Sequence, residues 1–228
     1  MSKNIVILHG WGSDLTKWLP FKKLLQQAGF KVYLPKLPNN KPMTTDDFSL
    51  WLKQYVKKID KFILIGHSFG GQIAANYTAK YPQKVSHLVL INSSAIRSKL
   101  NLKRLFFLPF AKLGKLIFSL PLLKSLAAPA KQLLYKSAQE ADYLKSTPTM
   151  KQTMKIIVKE DQQANLRKIT VPTLVLWGQQ DKITPLSQGK LTAKLITNST
   201  LAVFPQTTHG LPFQKPQSVI KKILWLIS

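Results

Sequence analysis

The chain has 228 residues, of which 45% are hydrophobic, and 34 lysines and arginines against 9 acidic residues give a formal net charge of +25. This length suits one domain with a sizeable core, and it is too short for two large domains. The absence of cysteine excludes disulfides, thiolate metal sites and a cysteine nucleophile, while the strong positive charge favours anionic partners or substrates.

Short apolar runs, typical of strands buried on both faces, alternate with segments of helical pattern along most of the chain. This alternation predicts a parallel sheet with right-handed crossovers, flanked by helices. The predicted strands cover residues 5–8, 31–34, 62–65, 85–91, 171–178 and 200–204. The predicted helices cover residues 15–27, 45–57, 69–81 and 186–196, and a last helix ends near residue 227.

The pattern changes between residues 95 and 165, where no strand-like run occurs and prolines interrupt a sequence rich in Leu, Phe, Lys and Ala. Residues 95–139 contain nine lysines and arginines and no acidic residue, which predicts amphipathic, basic helices. We expect an inserted helical cap, or lid, at 95–165 on a core formed by residues 1–94 and 166–228. One face of the cap can line an apolar pocket, and contact with anionic membrane or a lipid-like substrate is the alternative.

A glycine-flanked serine lies at the junction of the third predicted strand and its helix, in the sequence GHSFG at residues 66–70. This is the G-x-S-x-G pattern, which holds the hydroxyl of Ser68 exposed on a sharp turn. Glycine is needed at both flanks because neighbouring backbone crowds these positions. Ser68 is therefore a candidate nucleophile, and an ordinary strand-to-helix turn is the alternative.

The turn after the first strand, HGWG at residues 9–12, is the second informative stretch. Such a turn can supply one backbone N–H of an oxyanion hole, while the residue after the nucleophile supplies the other. We expect these donors to be the amides of Trp11 and Phe69. His9 itself is expected to have a structural role in bracing the loop.

A serine nucleophile needs a base, and histidine is the natural one. Of the four histidines, His9 lies in the oxyanion loop, His67 lies beside Ser68 and His87 opens a strand. His209 remains, in a loop after the last predicted strand.

The base in turn needs a carboxylate to orient it. Only Asp181 follows a core strand at the sheet edge where Ser68 emerges, which predicts a triad of Ser68, Asp181 and His209. The other carboxylates between Ser68 and His209 fall within the inserted segment, at Glu140, Asp142, Glu160 and Asp161.

Together these motifs resemble the α/β-hydrolase superfamily of serine hydrolases over essentially the whole chain. The matching pieces are HGWG at 9–12, GHSFGG at 66–71, WGQQD at 177–181 and HGL at 209–211. The resemblance implies an α/β-hydrolase fold with a minimal, mainly parallel sheet of about six strands and a pocket between core and cap. Small capped carboxylesterases of the biotin-pathway type are similar.

Two departures from the family pattern matter. The chain begins at what would be the third strand of the family, and residues 35–40, PKLPNN, replace an aspartate and G-x-G turn found in many relatives. Substrate contacts from that loop in relatives are therefore not transferred to this chain.

The sequence predicts a serine hydrolase that cleaves carboxylic esters of short to medium acyl chains through an acyl-enzyme. A lactonase (including acyl-lactones), a thioesterase or a C–C bond hydrolase would use the same residues, and a non-catalytic binder of anionic lipid or nucleic acid is the alternative of another class. We expect no metal or other cofactor and no specific nucleic-acid partner. Peripheral contact with an anionic membrane surface stays open, as does the oligomeric state. The first residues have no signal-peptide or anchor pattern, so we expect a cytoplasmic location.

Overall fold

The computed structural model describes residues 3–97 and 146–227. In these residues six strands form one sheet in the order β2-β1-β3-β4-β5-β6, and every neighbouring pair is parallel. The predicted parallel sheet of about six strands is thus confirmed. The strands are β1 (Asn4–Leu8), β2 (Lys31–Tyr33), β3 (Phe62–His67), β4 (Val85–Ile91), β5 (Thr173–Gly178) and β6 (Ser199–Phe204).

Helices connect the strands, as right-handed crossovers in a parallel sheet require. Thr44 caps the helix that begins at Thr45 and forms a capping box with Asp47. The helices are α1 (Leu19–Gln27), α2 (Thr45–Tyr55), α3 (Phe69–Lys80), α4 (Pro148–Ile157), α5 (Gln163–Leu166), α6 (Leu186–Leu195), α7 (Leu211–Gln214) and α8 (Pro216–Ile227), and short 3-10 turns lie at Leu15–Trp18 and Pro82–Lys84.

The helix predicted at residues 15–27 is divided into two pieces. A 3-10 turn capped by Asp14 spans Leu15–Trp18, and α1 begins at Leu19 with a proline in its first turn. Pro20 has no backbone N–H, so it cannot donate to the carbonyl of Thr16 and cannot continue a helix that started at Leu15. Proline is tolerated in the first turn of a new helix, which places the start of α1 here.

The central strands β1, β3, β4 and β5 are largely buried on both faces, whereas the edge strands β2 and β6 are partly exposed. The side chains of the central strands alternate between the two faces. In β1, Val6 and Leu8 pack into a core with residues of α2 and α3, while Ile5 and Ile7 pack into a second core with residues of α1 and α8. The same alternation along the other central strands puts one apolar core on each face of the sheet. Continuous apolar runs in the sequence are the consequence of this arrangement.

The predicted cap at 95–165 lies mostly outside the described residues. Its described end contains α4 and α5, and Ile157 and Leu166 from these helices join the core that includes α2 and α3. Residues 1–97 and 148–228 form one compact unit. In the part of the chain that the structure describes, no helix is both long and apolar enough to span a bilayer.

Candidate active site

Ser68 occupies a strained turn between β3 and α3. Its backbone has φ 54° and ψ −119°, a region that residues with side chains rarely adopt. The backbone N–H of Ser68 donates to the carbonyl of Ile91 (3.1 Å), and the N–H of Ser94 donates back to the carbonyl of Ser68 (3.0 Å). These bonds to the end of β4 hold the strained backbone in place, and strain of this kind is typical of functional sites.

The two glycines that flank Ser68 are required by close backbone contacts. A Cβ at Gly66 would lie 2.5 Å from the carbonyl oxygen of Gly70, and a Cβ at Gly70 would collide with the carbonyl oxygen of Leu8. Both obstacles are backbone atoms, so a side chain could not be accommodated by a change of rotamer. The G-x-S-x-G spacing is therefore explained by the packing of α3 against β3 and β1.

A continuous chain of hydrogen bonds joins Ser68, His209 and Asp181. The hydroxyl Oγ of Ser68 lies 2.9 Å from Nε2 of His209, and Nδ1 of His209 lies 2.8 Å from Oδ2 of Asp181. With Nδ1–H donating to the carboxylate, Nε2 is free to accept the serine proton. The three residues come from the ends of β3 and β5 and from the loop after β6, which meet at the carboxyl edge of the sheet.

The carboxylate of Asp181 is buried and surrounded by donors. Its Oδ1 accepts the backbone N–H groups of Ile183 (2.8 Å) and Thr184 (3.0 Å), and its Oδ2 accepts the hydroxyl of Thr184 (2.8 Å). Burial raises the pKa of Asp181, but the hydrogen bonds from His209 and Thr184 and the charge interaction with His209 outweigh it and lower the pKa overall. Asp181 is therefore ionised at neutral pH and fixed in orientation.

Asn92, which the sequence analysis did not identify, connects the parts of this site. Its side-chain N–H groups donate to Oδ2 of Asp181 and to the carbonyl of Thr208 (3.0 Å), and its Oδ1 accepts the N–H of Gly178 (3.1 Å). Asn92 directly follows β4 with φ 44°, a left-handed conformation that asparagine tolerates better than most residues. The one sequence signal that could have identified Asn92 is its position directly after a predicted core strand.

His67 supports the loop that carries His209. Its Nε2–H donates to the backbone carbonyl of His209 (2.9 Å), and the two rings lie 5.1 Å apart. Complete burial, followed by the charge interaction with His209, lowers the pKa of His67 to about 3. His67 is therefore neutral at physiological pH and acts as a fixed donor at the back of the site.

The predicted oxyanion loop lies beside Ser68, since a Cβ added to Gly10 would be 3.2 Å from the Cβ of Ser68. His9 links this loop to the next one. Its Nδ1–H donates to the carbonyl of Gly10 (2.7 Å), and its Nε2 accepts the backbone N–H of Leu37 (3.3 Å). Burial lowers the pKa of His9 despite that bond to Gly10, so the ring is neutral and both contacts hold at neutral pH.

A cavity of about 370 Å³ opens next to the oxyanion loop. Trp11 and Phe69 line it and make an edge-to-face ring contact at 5.5 Å, and Phe69 is the first residue of α3. The first N–H groups of a helix have no intrahelical acceptor, so they can bind an anion. The other lining residues are His9, Gly10, Gly12, Ser13, Leu15, Lys36, Leu37, Pro38, Asn39, Phe48, Met150 and Thr153.

The structure thus brings Ser68, Asp181 and His209 together and puts Trp11 and Phe69 beside them. Two of the other candidate carboxylates serve elsewhere: Glu160 accepts the backbone N–H of Thr45, and Asp161 accepts that of Arg97. Glu140 and Asp142 lie outside the described residues.

The chain matches the family model of the alpha/beta hydrolase fold over residues 3–216. It is 24% identical to monoacylglycerol lipase ABHD6 of Homo sapiens, covering 97% of this chain and 74% of that protein. It is also 24% identical to the pimeloyl-[acyl-carrier protein] methyl ester esterase of Aliivibrio fischeri, covering 92% and 87%. Its fold is similar to that of the enol-lactonase from Burkholderia xenovorans LB400, with a TM-score of 0.73, 16% identity and coverage of 100% and 92%.

The chain belongs to the α/β-hydrolase family. The resemblance inferred from its four motifs is confirmed, and the predicted class of enzyme, a hydrolase, is confirmed at the level of this family.

Proposed function

We propose that this protein is a serine hydrolase that cleaves carboxylic esters of short to medium acyl chains through an acyl-enzyme. The main support for this proposal is the chain of hydrogen bonds from Ser68 through His209 to Asp181. A neutral imidazole 2.9 Å from a serine hydroxyl can accept its proton, and an ionised carboxylate on the other ring nitrogen stabilises the imidazolium that forms.

In the first half of the reaction, Oγ of Ser68 attacks the ester carbonyl carbon and His209 takes the proton on Nε2. The carbonyl oxygen becomes an oxyanion, which the backbone N–H groups of Trp11 and Phe69 would bind. Collapse of this intermediate breaks the bond to the alkoxy group. His209 gives its proton to the departing alcohol, and the acyl group stays on Ser68.

In the second half, water replaces the alcohol. His209 takes a proton from water as its oxygen attacks the acyl carbon, and the second oxyanion is bound at the same amides. Collapse returns the proton from His209 to Oγ of Ser68 and releases the carboxylic acid. No step needs a group beyond the described residues and water.

The names of the relatives support esters as the substrate class, since one is a methyl ester esterase and another is a monoacylglycerol lipase. The cavity supports acyl chains of short to medium length, because its largely apolar lining adjoins the serine and its volume falls within the usual range for small-molecule sites.

Hydrolysis of p-nitrophenyl butyrate by the purified Ser68→Ala variant tests this proposal. Loss of the nucleophile should lower kcat on the order of a million-fold. Ser218→Ala, on an exposed serine of α8, is the matched control and should keep wild-type turnover. A fluorophosphonate should label the wild type and Ser218→Ala at one serine, and should not label Ser68→Ala. Equal turnover by Ser68→Ala and wild type would refute the proposal.

The lactonase, thioesterase and C–C bond hydrolase alternatives use the same three side chains, and one relative, from Pseudomonas putida, is named as a 2-hydroxy-6-oxononadienedioate/2-hydroxy-6-oxononatrienedioate hydrolase. A panel of esters, acyl-lactones and acyl thioesters distinguishes them by kcat/KM, and we expect esters to lead. A non-catalytic binder would turn over none of these compounds and would be retained on anionic vesicles or DNA in a salt-dependent way.

A further inference from the structure

We propose that Lys36 binds a carboxylate at the far end of the acyl chain, so that the preferred substrates are monoesters of dicarboxylic acids. This inference rests on the proposed ester hydrolysis at Ser68 and specifies the substrate of that site. Lys36 lies in the PKLPNN loop, the stretch in which this chain departs from the family pattern.

The lining of the cavity has one charge and many apolar groups. Among the described lining residues, Lys36 is the only one with a formal charge, because His9 is neutral and no carboxylate lines the cavity. Trp11, Leu37 and Phe48 are among the apolar residues that line the same cavity as Lys36. An apolar chain that carries an anion matches a lining of this composition.

The position of His209 decides which part of an ester enters the cavity. The leaving alkoxy oxygen must lie within hydrogen-bonding distance of Nε2 of His209 to receive its proton. Trp11 and Phe69, the proposed oxyanion donors, line the cavity, and neither Ser68 nor His209 does. With the carbonyl oxygen at those amides and the alkoxy group towards His209, the acyl chain is the substituent that points into the cavity.

The loop that carries Lys36 is held in place from both sides. Pro35 is buried and precedes Lys36, and the N–H of Leu37 donates to Nε2 of His9 in the oxyanion loop (3.3 Å). Proline restricts its own backbone φ, so the chain is constrained on both sides of Lys36. None of the described residues gives Lys36 a carboxylate partner, and Lys36 is exposed. Its ammonium is therefore available to a ligand.

The test compares each monomethyl ester with the dimethyl ester of the same acid, over a series from succinate to sebacate. The two compounds differ by one charge. Because the diester has two equivalent ester groups, its rate is divided by two. An exposed ion pair favours the charged ligand by up to about fivefold, so the wild-type kcat/KM should be higher for the monoester by a factor in that range. The ratio should peak at one chain length, where the carboxylate reaches Lys36.

Variants separate Lys36 from the general positive field of a chain with a net charge of +25, which attracts any anion. Lys36→Met should lower the monoester-to-diester ratio by the factor that the ion pair contributes, and Lys36→Glu should lower it further. Lys41→Met removes the same charge from an exposed lysine a few residues further along the chain, outside the cavity lining, and should keep the wild-type ratio. An unchanged ratio in Lys36→Met, or an equal loss of ratio in Lys41→Met, would overturn the inference.

Failure of this inference and failure of the proposed function give different results. If Ser68→Ala abolishes turnover of both ester types while the ratio is insensitive to Lys36, ester hydrolysis stands and the carboxylate subsite is wrong. If Ser68→Ala keeps wild-type turnover, the proposed function itself is wrong.

Discussion

The side-chain amide of Asn92 donates one hydrogen bond to Oδ2 of Asp181 and another to the backbone carbonyl of Thr208, the residue before His209. One side chain thus fixes both the proposed acid and the loop of the proposed base. Its Oδ1 accepts the N–H of Gly178, so all three polar positions of the amide are used and its orientation is determined. In the proposed reaction Asn92 is a positioning residue, because it would act through Asp181 and His209.

Asn92→Ala should lower kcat by about 10- to 100-fold and leave KM nearly unchanged. The loss removes one of the donors to the buried carboxylate of Asp181 and leaves the N–H of Gly178 without its acceptor. We expect a cost of about 1–3 kcal/mol, and each 1.4 kcal/mol in the barrier is about tenfold in rate. Steady-state kinetics on p-nitrophenyl butyrate check this. A rise in KM at constant kcat would show that Asn92 contacts substrate instead.

Asn92→Asp should make activity depend on pH in a new way. The added carboxyl would lie against Oδ2 of Asp181, and two like charges at this distance raise the pKa of the pair so that they share a proton. While that proton is present, the new group still donates to Asp181. Activity relative to wild type should therefore be highest at acidic pH and fall as the pH rises. A ratio to wild type that is constant across pH would contradict this positioning role.

Thr184→Val should lower kcat by a smaller factor, about three- to tenfold. Valine keeps the shape of threonine and the backbone N–H that donates to Oδ1 of Asp181, and it removes only the hydroxyl that donates to Oδ2. Asn92 and His209 remain as donors to the same oxygen, so the carboxylate is not left unpaired. Thr184→Ser, which restores the hydroxyl, should recover most of the wild-type kcat, and failure to do so would assign the loss to packing.

The fold could be predicted from the sequence because a strand that is buried on both faces is recognisable as a short run of apolar residues. All six residues of β3 are buried, and residues 62–65 at its start form a continuous apolar run. The predicted helix at residues 15–27 is wrong in its extent, because Pro20 interrupts the helical pattern and divides it into a 3-10 turn and a helix. The cap predicted at 95–165 stays a prediction, because most of it lies outside the described residues.

The site could be predicted only where its residues lie in local motifs or could be found by elimination. Ser68 is marked by two glycines, and the scarcity of carboxylates left Asp181 as the one acid at the edge of the sheet. The bond from Asn92 to Asp181 spans 89 positions of the chain, and the bond from His67 to His209 spans 142. Such contacts follow from the sheet order, which places sequence-distant loops at one edge, and no short pattern encodes them.

Gly66→Ala should destabilise the fold by about 3 kcal/mol, because the new Cβ would lie 2.5 Å from the carbonyl oxygen of Gly70 and one strand or helix must shift. Gly210→Ala is the matched control. Its new Cβ meets nothing nearer than 3.9 Å and its φ of −82° suits alanine, so the change in stability should stay within about 1 kcal/mol. Urea denaturation followed by far-UV circular dichroism measures both, and similar losses in the two variants would disprove the packing argument for Gly66.

His67 should make the folded state less stable as the pH falls. Burial, followed by the charge interaction with His209, lowers its pKa from 6.5 to about 3 in the folded protein, while an unfolded chain keeps the ordinary value. Between pH 6.5 and about 3 the unfolded state therefore binds a proton that the folded state does not, so the free energy of unfolding decreases with falling pH. One such group contributes a slope of about 1.4 kcal/mol per pH unit.

His67→Gln tests this, because glutamine does not titrate and its amide N–H can still donate to the carbonyl of His209. In urea denaturation at a series of pH values below 6.5, the free energy of unfolding of His67→Gln should fall less steeply than that of wild type. His87→Gln, at a half-buried histidine whose pKa burial also lowers, is the comparison and should change the slope less. Parallel slopes for wild type and His67→Gln would contradict this prediction. They would show that His67 binds its proton in the folded state, despite its complete burial beside His209.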